Sequence, residues 1–453
     1  MVTRVRNLLI ATAVVLIAYV GATWLIGIEV QSRLEQREQQ TLKNAPYLVL
    51  LHREYRRGVF GATEQATYAL RGPFGGLGRM IPVVDAGSQI QFTVRNTIRH
   101  GPLPGLRTVA LATLDTQVIP PPALARRLSA VAGGRTLLTI RTRLGWTGGT
   151  ATTISSPAFH ARLDDGAVLS SSGFEATFEV ARGQASWRGH GSSAGFSAQG
   201  SRGRFALGGL SFDADRRRLA DPLYVGDFHL KIAGLQFQGD KGPPVLMNGL
   251  ALASGSAAHG EYIDSGAEFT AGEIKAANVT LSHVAYTVRL EHLQTASLAA
   301  LTVALRDAQA NATPGLPASS AGAVRDALER YGIELLVHDP VIEIPRLELA
   351  MPEGSFSLQA RLAAHGLRRE DMSGPAMMAG LVSRLEGTAA VRIDAALLAK
   401  LVSESPRGPA LSAQLDALQR QGYLKREGAA WTAQIAYGSG KLTINGVAYP
   451  PRG

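Results

Sequence analysis

Regular alternation of apolar and polar residues is the feature that most constrains how this chain folds. The clearest case is WTAQIAYGSGKLTINGVAYP at residues 431–450. One side of its first strand carries Trp431, Ala433, Ile435 and Tyr437, because successive side chains of a strand point to opposite faces. Gly438-Ser439-Gly440 and Asn445-Gly446 supply turns, since glycine accepts a positive φ and Asn-Gly favours type I′ turns. The stretch predicts a hairpin ribbon with one apolar face.

Similar alternation recurs along the first two-thirds of the chain, in segments separated by Gly, Asp and Pro. These segments lie at 88–98, 137–144, 174–180, 225–238 and 279–290. Short alternating strands joined by turn residues predict an antiparallel meander with one solvated face. Helical spacing of apolar residues appears at 292–310, 321–336 and 410–424. We therefore predict an α+β fold that is mainly β: a large curved antiparallel sheet with a few covering helices, preceded by one transmembrane helix.

The predicted transmembrane helix is the uncharged segment LLIATAVVLIAYVGATWLIGI at 8–28, which follows two arginines. About 21 residues at ~1.5 Å each span roughly 31 Å, close to the thickness of a bilayer's hydrocarbon core. The preceding arginines favour a cytoplasmic N-terminus, and Tyr19 and Trp24 are candidates for the interfacial aromatic belt. A cleaved signal peptide is the alternative, since Val20-Gly21-Ala22 has the small-residue spacing of a cleavage site. The apolar run continues beyond that point, which favours an uncleaved anchor.

The anchor sets the expected domain organisation. The residues after it are polar, rich in helix formers and free of Gly and Pro, so they predict a helical linker. The expected order is a cytoplasmic N-terminus at 1–7, the anchor at 8–28, the linker at 29–45 and a periplasmic β-rich body at 46–450. Within the body we expect a strand meander at 46–291, a helical insertion at 292–337 and a strand-strand-helix-helix-hairpin segment at 338–450. This organisation predicts a single-pass protein of the bacterial inner membrane.

Composition narrows the range of functions. The 453 residues include 50 glycines but only 6% aromatic and 18% charged residues, which suits a β-rich protein with many turns. The net charge is +10, yet Arg216-Arg217-Arg218 is the only run of three basic residues. Scattered basic residues indicate a solvated cationic surface, or attraction to anionic lipid head groups, and no nucleic-acid partner. The absence of cysteine excludes thiol chemistry and is compatible with an oxidising compartment.

Six short motifs occur in order along the chain. They are YRRGVF (55–60), HGPLP (100–104), LGWTGG (144–149), DPVIEI (339–344), GYLKREG (422–428) and GKLTINGVAYP (440–450). With the N-terminal anchor, they resemble the YdgA-like family of bacterial inner-membrane proteins, a domain of unknown function, over essentially the whole chain. The resemblance implies a membrane anchor, a large periplasmic β-rich domain and no established activity. It implies no catalytic or ligand-binding residues.

Three residues are candidates for a binding surface. Arg56 and Arg57 could present a pair of guanidinium groups to a phosphate or carboxylate, although a strand-entry turn explains the same residues. His100 precedes Gly101-Pro102 and could place an imidazole at a loop tip, although a histidine with a purely local role in the turn is the favoured explanation.

We predict no catalytic, cofactor or metal residues. Gly191-Ser192-Ser193-Ala194-Gly195 matches the G-x-S-x-G elbow of serine hydrolases, but a glycine-rich, strand-like segment follows it in place of the required helix. The glycine-rich stretch at 72–78 lacks both the Walker lysine and the Rossmann spacing, so it predicts a loop. The ten histidines show no H-E-x-x-H pattern.

The sequence therefore predicts a non-catalytic binding or scaffold module of the cell envelope, with lipid or another envelope protein as its partner. One alternative is an envelope hydrolase whose site is assembled from residues distant in sequence. Another is a structural protein that assembles with copies of itself through an exposed strand edge. A continuous apolar groove on the sheet supports the binding module, whereas a polar pocket with clustered His and Asp or Glu supports the hydrolase.

Overall fold

The fold is mainly β, as predicted, with 56% of the described residues in strands and 24% in helices. A computed structural model describes residues 2–45, 47–70, 91–106, 108–119, 136–163, 166–201, 203–240, 242–310, 317–372, 380 and 382–449. The glycine-rich stretch at 72–78 lies outside the described residues. The chain divides into two compact units, which we call the N-terminal unit (Met1–Gly203 with Arg306–Ser320) and the C-terminal unit (Arg204–Leu305 with Ala321–Gly453).

The N-terminal unit combines one long helix with an antiparallel sheet. Its elements are α1 (Val2–Asn44), β1 (Leu48–Arg57), β2 (Gly61–Leu70), β3 (Gln91–His100), β4 (Ala112–Ile119), β5 (Thr139–Leu144), β6 (Thr150–Ser156), β7 (Phe159–Arg162), β8 (Val168–Ser171), β9 (Phe174–Val180), β10 (Ser186–Ser193) and β11 (Phe196–Gly200). Strands β1 to β6 pair in chain order, and β9 and β10 continue the sheet beyond β6. Strand β8 pairs with both β7 and β11.

Helix α1 packs on the apolar face of this sheet. Its Val30 is fully buried in a cluster of strand and loop residues: Ala62, Ile98, Leu111, Ala112, Leu114 and Leu144. Ile26 and Leu34, one turn to either side of Val30, pack against the same cluster. Apolar residues four apart lie on one side of a helix, so this stripe covers the sheet residues that point toward it. Within the described residues, no helix is both long enough and apolar enough to cross a membrane.

The C-terminal unit contains the longest strands. Its strands are β12 (Gly203–Leu207), β13 (Leu210–Ala220), β14 (Leu223–Gly239), β15 (Val245–His259), β16 (Tyr262–Ala271), β17 (Glu273–Ala276), β18 (Val279–Leu281), β19 (His283–Gln294), β20 (Val341–Met351), β21 (Gly354–Ala364), β22 (Leu385–Asp394), β23 (Lys425–Glu427), β24 (Ala430–Gly438), β25 (Lys441–Ile444) and β26 (Val447–Ala448). Antiparallel pairing connects β13, β14, β15, β16, β19, β20, β21, β22, β24, β25 and β26 in that order.

Further, shorter helices lie between β19 and β20 and between β22 and β23. They are α2 (Thr295–Ala310), α3 (Pro317–Ala327), α4 (Ile333–Leu336), α5 (Ala395–Glu404) and α6 (Gly408–Arg420). A π-helical turn at Leu328–Gly332 connects α3 to α4. Helix α5 packs against β21 and β22.

The predicted terminal ribbon is confirmed. Ser439 and Gly440 have φ of 49° and 75°, and Asn445 and Gly446 have φ of 52° and 79°. Two successive positive φ values are typical of type I′ turns, whose twist matches that of the flanking strands. The ribbon therefore continues the sheet of the C-terminal unit through the pairing of β24 with β22.

Candidate functional site

One face of the sheet in the C-terminal unit carries a continuous row of apolar residues. Directly paired residues on successive strands form it: Phe212, Leu230, Leu252, Phe269, Tyr286, Leu347, Leu358, Val391 and Ala433. Paired residues of antiparallel strands point to the same face of a sheet. Eight inter-strand steps of ~4.8 Å give the row a length of about 38 Å.

Further apolar rows flank the first one at two-residue steps along the strands, and therefore on the same face. In β20 a bulge between Ile344 and Leu347 adds one residue to the step, while the partner strand β21 keeps the regular spacing. One consists of Ala271, Val284, Leu349, Phe356, Ile393 and Trp431. On the other side lies a row of Ile344, Ala360, Ala389, Ile435 and Ile444. A fourth row contains Leu290, Ile342, Leu362, Gly387 and Tyr437. We call the four rows together the apolar face.

Part of the apolar face is open to solvent. Leu252 is 37% exposed, and the cross-strand neighbours Ile342 and Leu362 are each 43% exposed. A concavity of about 710 Å³ lies over the same strands, but most of the residues that line it, among them Arg361, Thr388 and Gln434, belong to the opposite face. Large contiguous apolar surfaces exposed on a folded protein mark binding sites for other molecules.

Residues of α4 and of the turn after it cover one border of the apolar face. Ile333, Leu336 and Val337 pack against Ala364 and Leu385, which are paired at the ends of β21 and β22. The opposite side of the same sheet is polar, with a directly paired row of Asp213, His229, Ala253, Glu268, Thr287 and Arg346. The sheet therefore has the wet and dry sides that the alternation predicted.

Two of the three predicted surface residues lie beside helix α1. His100, expected at a loop tip, is the last residue of β3 and is only 2% exposed. Its Nδ1 lies 3.1 Å from the carbonyl oxygen of Thr23. The guanidinium carbon of Arg57 lies 5.7 Å from the centre of the Trp24 ring, a distance typical of a cation–π contact.

The two arginines do not form the predicted pair. Arg56 and Arg57 are consecutive residues of β1, so their side chains leave the sheet on opposite faces. Arg56 Nε instead lies 2.6 Å from Glu54 Oε1.

The imidazole of His100 occupies a space that only a glycine leaves open. A Cβ atom at Gly27 of α1 would lie 2.6 Å from Cε1 of His100. Burial lowers the pKa of His100, and the positive charge of Arg57 acts in the same direction, while the backbone bond to Thr23 opposes them. The neutral ring thus donates to Thr23 through Nδ1 and packs against the helix. Sequence analysis missed this role because no local pattern connects residues 77 positions apart.

A cluster of charged side chains fixes the other half of α1. Arg53 Nε donates to Glu64 Oε1 over 2.8 Å and lies 3.1 Å from Glu38 Oε2. Asn96 donates to Glu64, and the hydroxyl of Tyr68 donates to Glu38 over 2.6 Å. Burial and the Glu38 carboxylate raise the pKa of Tyr68. Glu38 thus connects the helix to the sheet, whereas Glu64 connects neighbouring strands through Arg53 and Asn96.

The G-x-S-x-G match and the possible metal ligands were the other two catalytic patterns considered from the sequence. The hydroxyl of Ser193, the middle residue of the G-x-S-x-G match, donates to the carbonyl of Gly173 over 2.7 Å. A short connection and then strand β11 follow it, so it lacks the helix N-terminus that the elbow needs. No group of three or more His, Asp or Glu side chains is placed to hold a metal ion in the part of the chain that the structure describes.

Replacement of Gly27 by alanine tests the contact between α1 and His100. Alanine normally stabilises a helix interior by roughly 1 kcal/mol relative to glycine. We expect Gly27→Ala instead to lower the free energy of unfolding by about 1–3 kcal/mol, because the new methyl group overlaps the imidazole. Thermal unfolding of the full chain in detergent, followed by circular dichroism, measures the change.

Gly21→Ala is the matched control, since no atom lies within 4 Å of a Cβ at that position. We expect this variant to be as stable as the unsubstituted protein or more stable. Adding His100→Ala to Gly27→Ala should cost less than the sum of the two single changes, because the double variant removes the overlap. Equal effects at both glycines would contradict the contact.

The buried neutral state of His100 predicts a dependence of stability on pH. Because the pKa of His100 is lowered on folding, the unfolded chain binds its proton first as the pH falls below about 6.5. We expect the free energy of unfolding to decrease between about pH 7 and pH 5, and this decrease to be smaller in His100→Asn, whose amide can still donate to Thr23. Urea unfolding at several pH values compares the two proteins, and identical pH profiles would show that His100 titrates normally.

Comparison with known proteins gives a family but no function. No curated protein and no solved structure matches the chain significantly. The family model described as "Bacterial protein of unknown function (DUF945)" matches residues 7–452, nearly the whole chain. The protein therefore belongs to this bacterial family, DUF945.

Proposed function

We propose that this protein is a membrane-anchored, non-catalytic binding protein of the bacterial cell envelope, and that the apolar face of its C-terminal unit holds lipid acyl chains. The observation that carries the proposal is the set of apolar rows with Leu252, Ile342 and Leu362 open to solvent. Lipid is the partner that best matches a surface built from aliphatic and aromatic side chains in long rows.

The dimensions of the apolar face support an acyl chain as the ligand. The longest row extends for about 38 Å, at ~4.8 Å per strand, whereas the hydrocarbon of one leaflet is only about 15 Å thick. An extended acyl chain therefore fits along the row. Burial of each methylene group contributes about 0.8 kcal/mol, so contact with about ten methylenes gives roughly 8 kcal/mol, which corresponds to micromolar affinity.

The apolar segment at 8–28 supports the proposed anchor. It has no charged residue, and the arginines that precede it favour an N-terminus in the cytoplasm and a body in the periplasm. The resemblance to the YdgA-like family and the absence of cysteine agree with this location. A protein held at the inner membrane is close to a source of phospholipid, which is the ligand class that the apolar face fits.

The first test is native mass spectrometry with lipid analysis on the full chain extracted from bacterial membranes. We expect phospholipid to co-purify with the protein. Ile342→Ser/Leu362→Ser should reduce the bound lipid by roughly tenfold or more, because two partly exposed aliphatic side chains each contribute about 1 kcal/mol and 1.4 kcal/mol corresponds to a factor of ten.

Glu343→Ser/Arg361→Ser is the matched control. These residues are also cross-strand neighbours on β20 and β21, but each lies one position along the strand and so on the opposite face. We expect the control to retain lipid at the level of the unsubstituted protein. A lipid-free protein that forms a defined oligomer would overturn the proposal and favour the self-assembling scaffold.

A further inference from the structure

Four connections of the N-terminal unit meet at one end of its sheet. Antiparallel neighbours reverse direction at each turn, and the register places His100 beside Ala112, Ala112 beside Leu144, Leu144 beside Thr150 and Thr150 beside Val180. The connections at this end are therefore 58–60, 101–111, 145–149 and 181–185. We call them together the loop end.

The loop end exposes an unusual number of large apolar side chains. Six of them are between 40% and 78% exposed: Val59, Phe60, Leu103, Leu106, Val109 and Trp146. Single exposed apolar residues are common on protein surfaces, but a group of this size on adjacent loops indicates contact with an apolar phase or partner.

Helix α1 reaches the loop end with the last part of its apolar segment. The hydroxyl of Tyr19 donates to the carbonyl of Leu103 over 3.4 Å, and the side chain of Thr23 lies against Gly101. Gly27 contacts His100 one turn later. On the sides of the helix that remain free, Trp24, Leu25 and Ile28 are 40–60% exposed.

These contacts determine how deep the loop end lies if the segment at 8–28 enters a bilayer. Tyr19, Thr23 and Gly27 belong to that segment and also touch the loops or His100 beside them. If all of the roughly 21 residues spanned the ~30 Å hydrocarbon core, these contacts would lie in the outer half of that core, where the polar backbone of a loop is not stable. The segment therefore enters the bilayer only as far as the contacts allow, and the loops lie in the interfacial layer, where exposed Trp, Phe and Leu side chains are stable.

The charges at the loop end favour an anionic surface. The four connections contain no Asp or Glu. Arg57 and Arg182 are exposed at this end, and arginine binds phosphate groups through its planar set of donors. Apolar side chains beside arginines match the boundary between acyl chains and phospholipid head groups.

We infer that the loop end is a membrane-docking surface, which inserts its apolar side chains into the interfacial layer of a bilayer containing anionic phospholipid. This inference rests on the anchor in the proposed function and adds a second contact with the same membrane. It assigns Arg57, with Arg182, to phospholipid head groups, and Trp146 and Val109 to the interface.

Environment-sensitive probes on single cysteines test the inference, since the chain has no cysteine of its own. Val109→Cys and Trp146→Cys are labelled with a nitrobenzoxadiazole dye in the full-length protein, which is then reconstituted into phosphatidylethanolamine–phosphatidylglycerol vesicles. We expect the emission of both labels to shift to the blue. We also expect quenching by spin-labelled lipid to be several-fold stronger than for the control Val118→Cys, which is 37% exposed at the opposite end of the same sheet.

Two further variants separate the possible failures. A label at Val15→Cys, within the apolar segment, reports on the anchor alone. If this label is in lipid while those at 109 and 146 are in water, the anchor stands and the docking surface is refuted. If all three labels are in water, the anchor and the docking surface both fail.

Arg182→Gln tests the role of the arginine. This change should reduce the blue shift of the Val109 label in anionic vesicles but leave it unchanged in phosphatidylcholine vesicles. If Arg182→Gln has the same effect on the blue shift in both kinds of vesicle, the role of the arginine is refuted.

Discussion

The structure depends on the two-residue period of the β-strand. In each unit, antiparallel pairing turns the alternation of single strands into a sheet with one apolar and one polar face. The apolar face of such a sheet must be covered, because exposure of apolar area to water costs about 25 cal/mol per Å². How each unit covers that face decides what the unit can bind.

The N-terminal unit covers its apolar face with its own helix. Val30 and its neighbours on α1 fill the space above the strands, the Arg53–Glu64–Glu38 cluster fixes one half of the helix, and the contact of Gly27 with His100 fixes the other. Close packing at Gly27 and charge pairing at Arg53 together fix the position of the helix on the sheet. The same helix carries the apolar segment, so its position also decides which loops lie beside that segment.

The C-terminal unit covers its apolar face only in part. Residues of α4 and of the turn after it pack on the border at Ala364 and Leu385, but Leu252, Ile342 and Leu362 stay open to solvent on the same face. Alanine at 360 and 389 and glycine at 387 leave the middle of this face without large side chains. Such a surface offers apolar contact without hydrogen-bond partners, which is what the proposed acyl-chain ligand requires.

The sequence by itself determined the class of fold, the terminal ribbon with its two turns, and the presence of one polar and one apolar face on the sheet. These features follow from the local spacing of apolar residues and from the φ preferences of residues such as Asn445 and Gly446. Only the tertiary structure decided that Ile342 lies beside Leu362, that His100 is buried under Gly27 and that Arg56 and Arg57 diverge. Strand register and helix docking bring together residues far apart in the chain, and no local pattern contains that information. The candidate binding face was therefore predictable as a property of the strands but not as a set of neighbouring side chains.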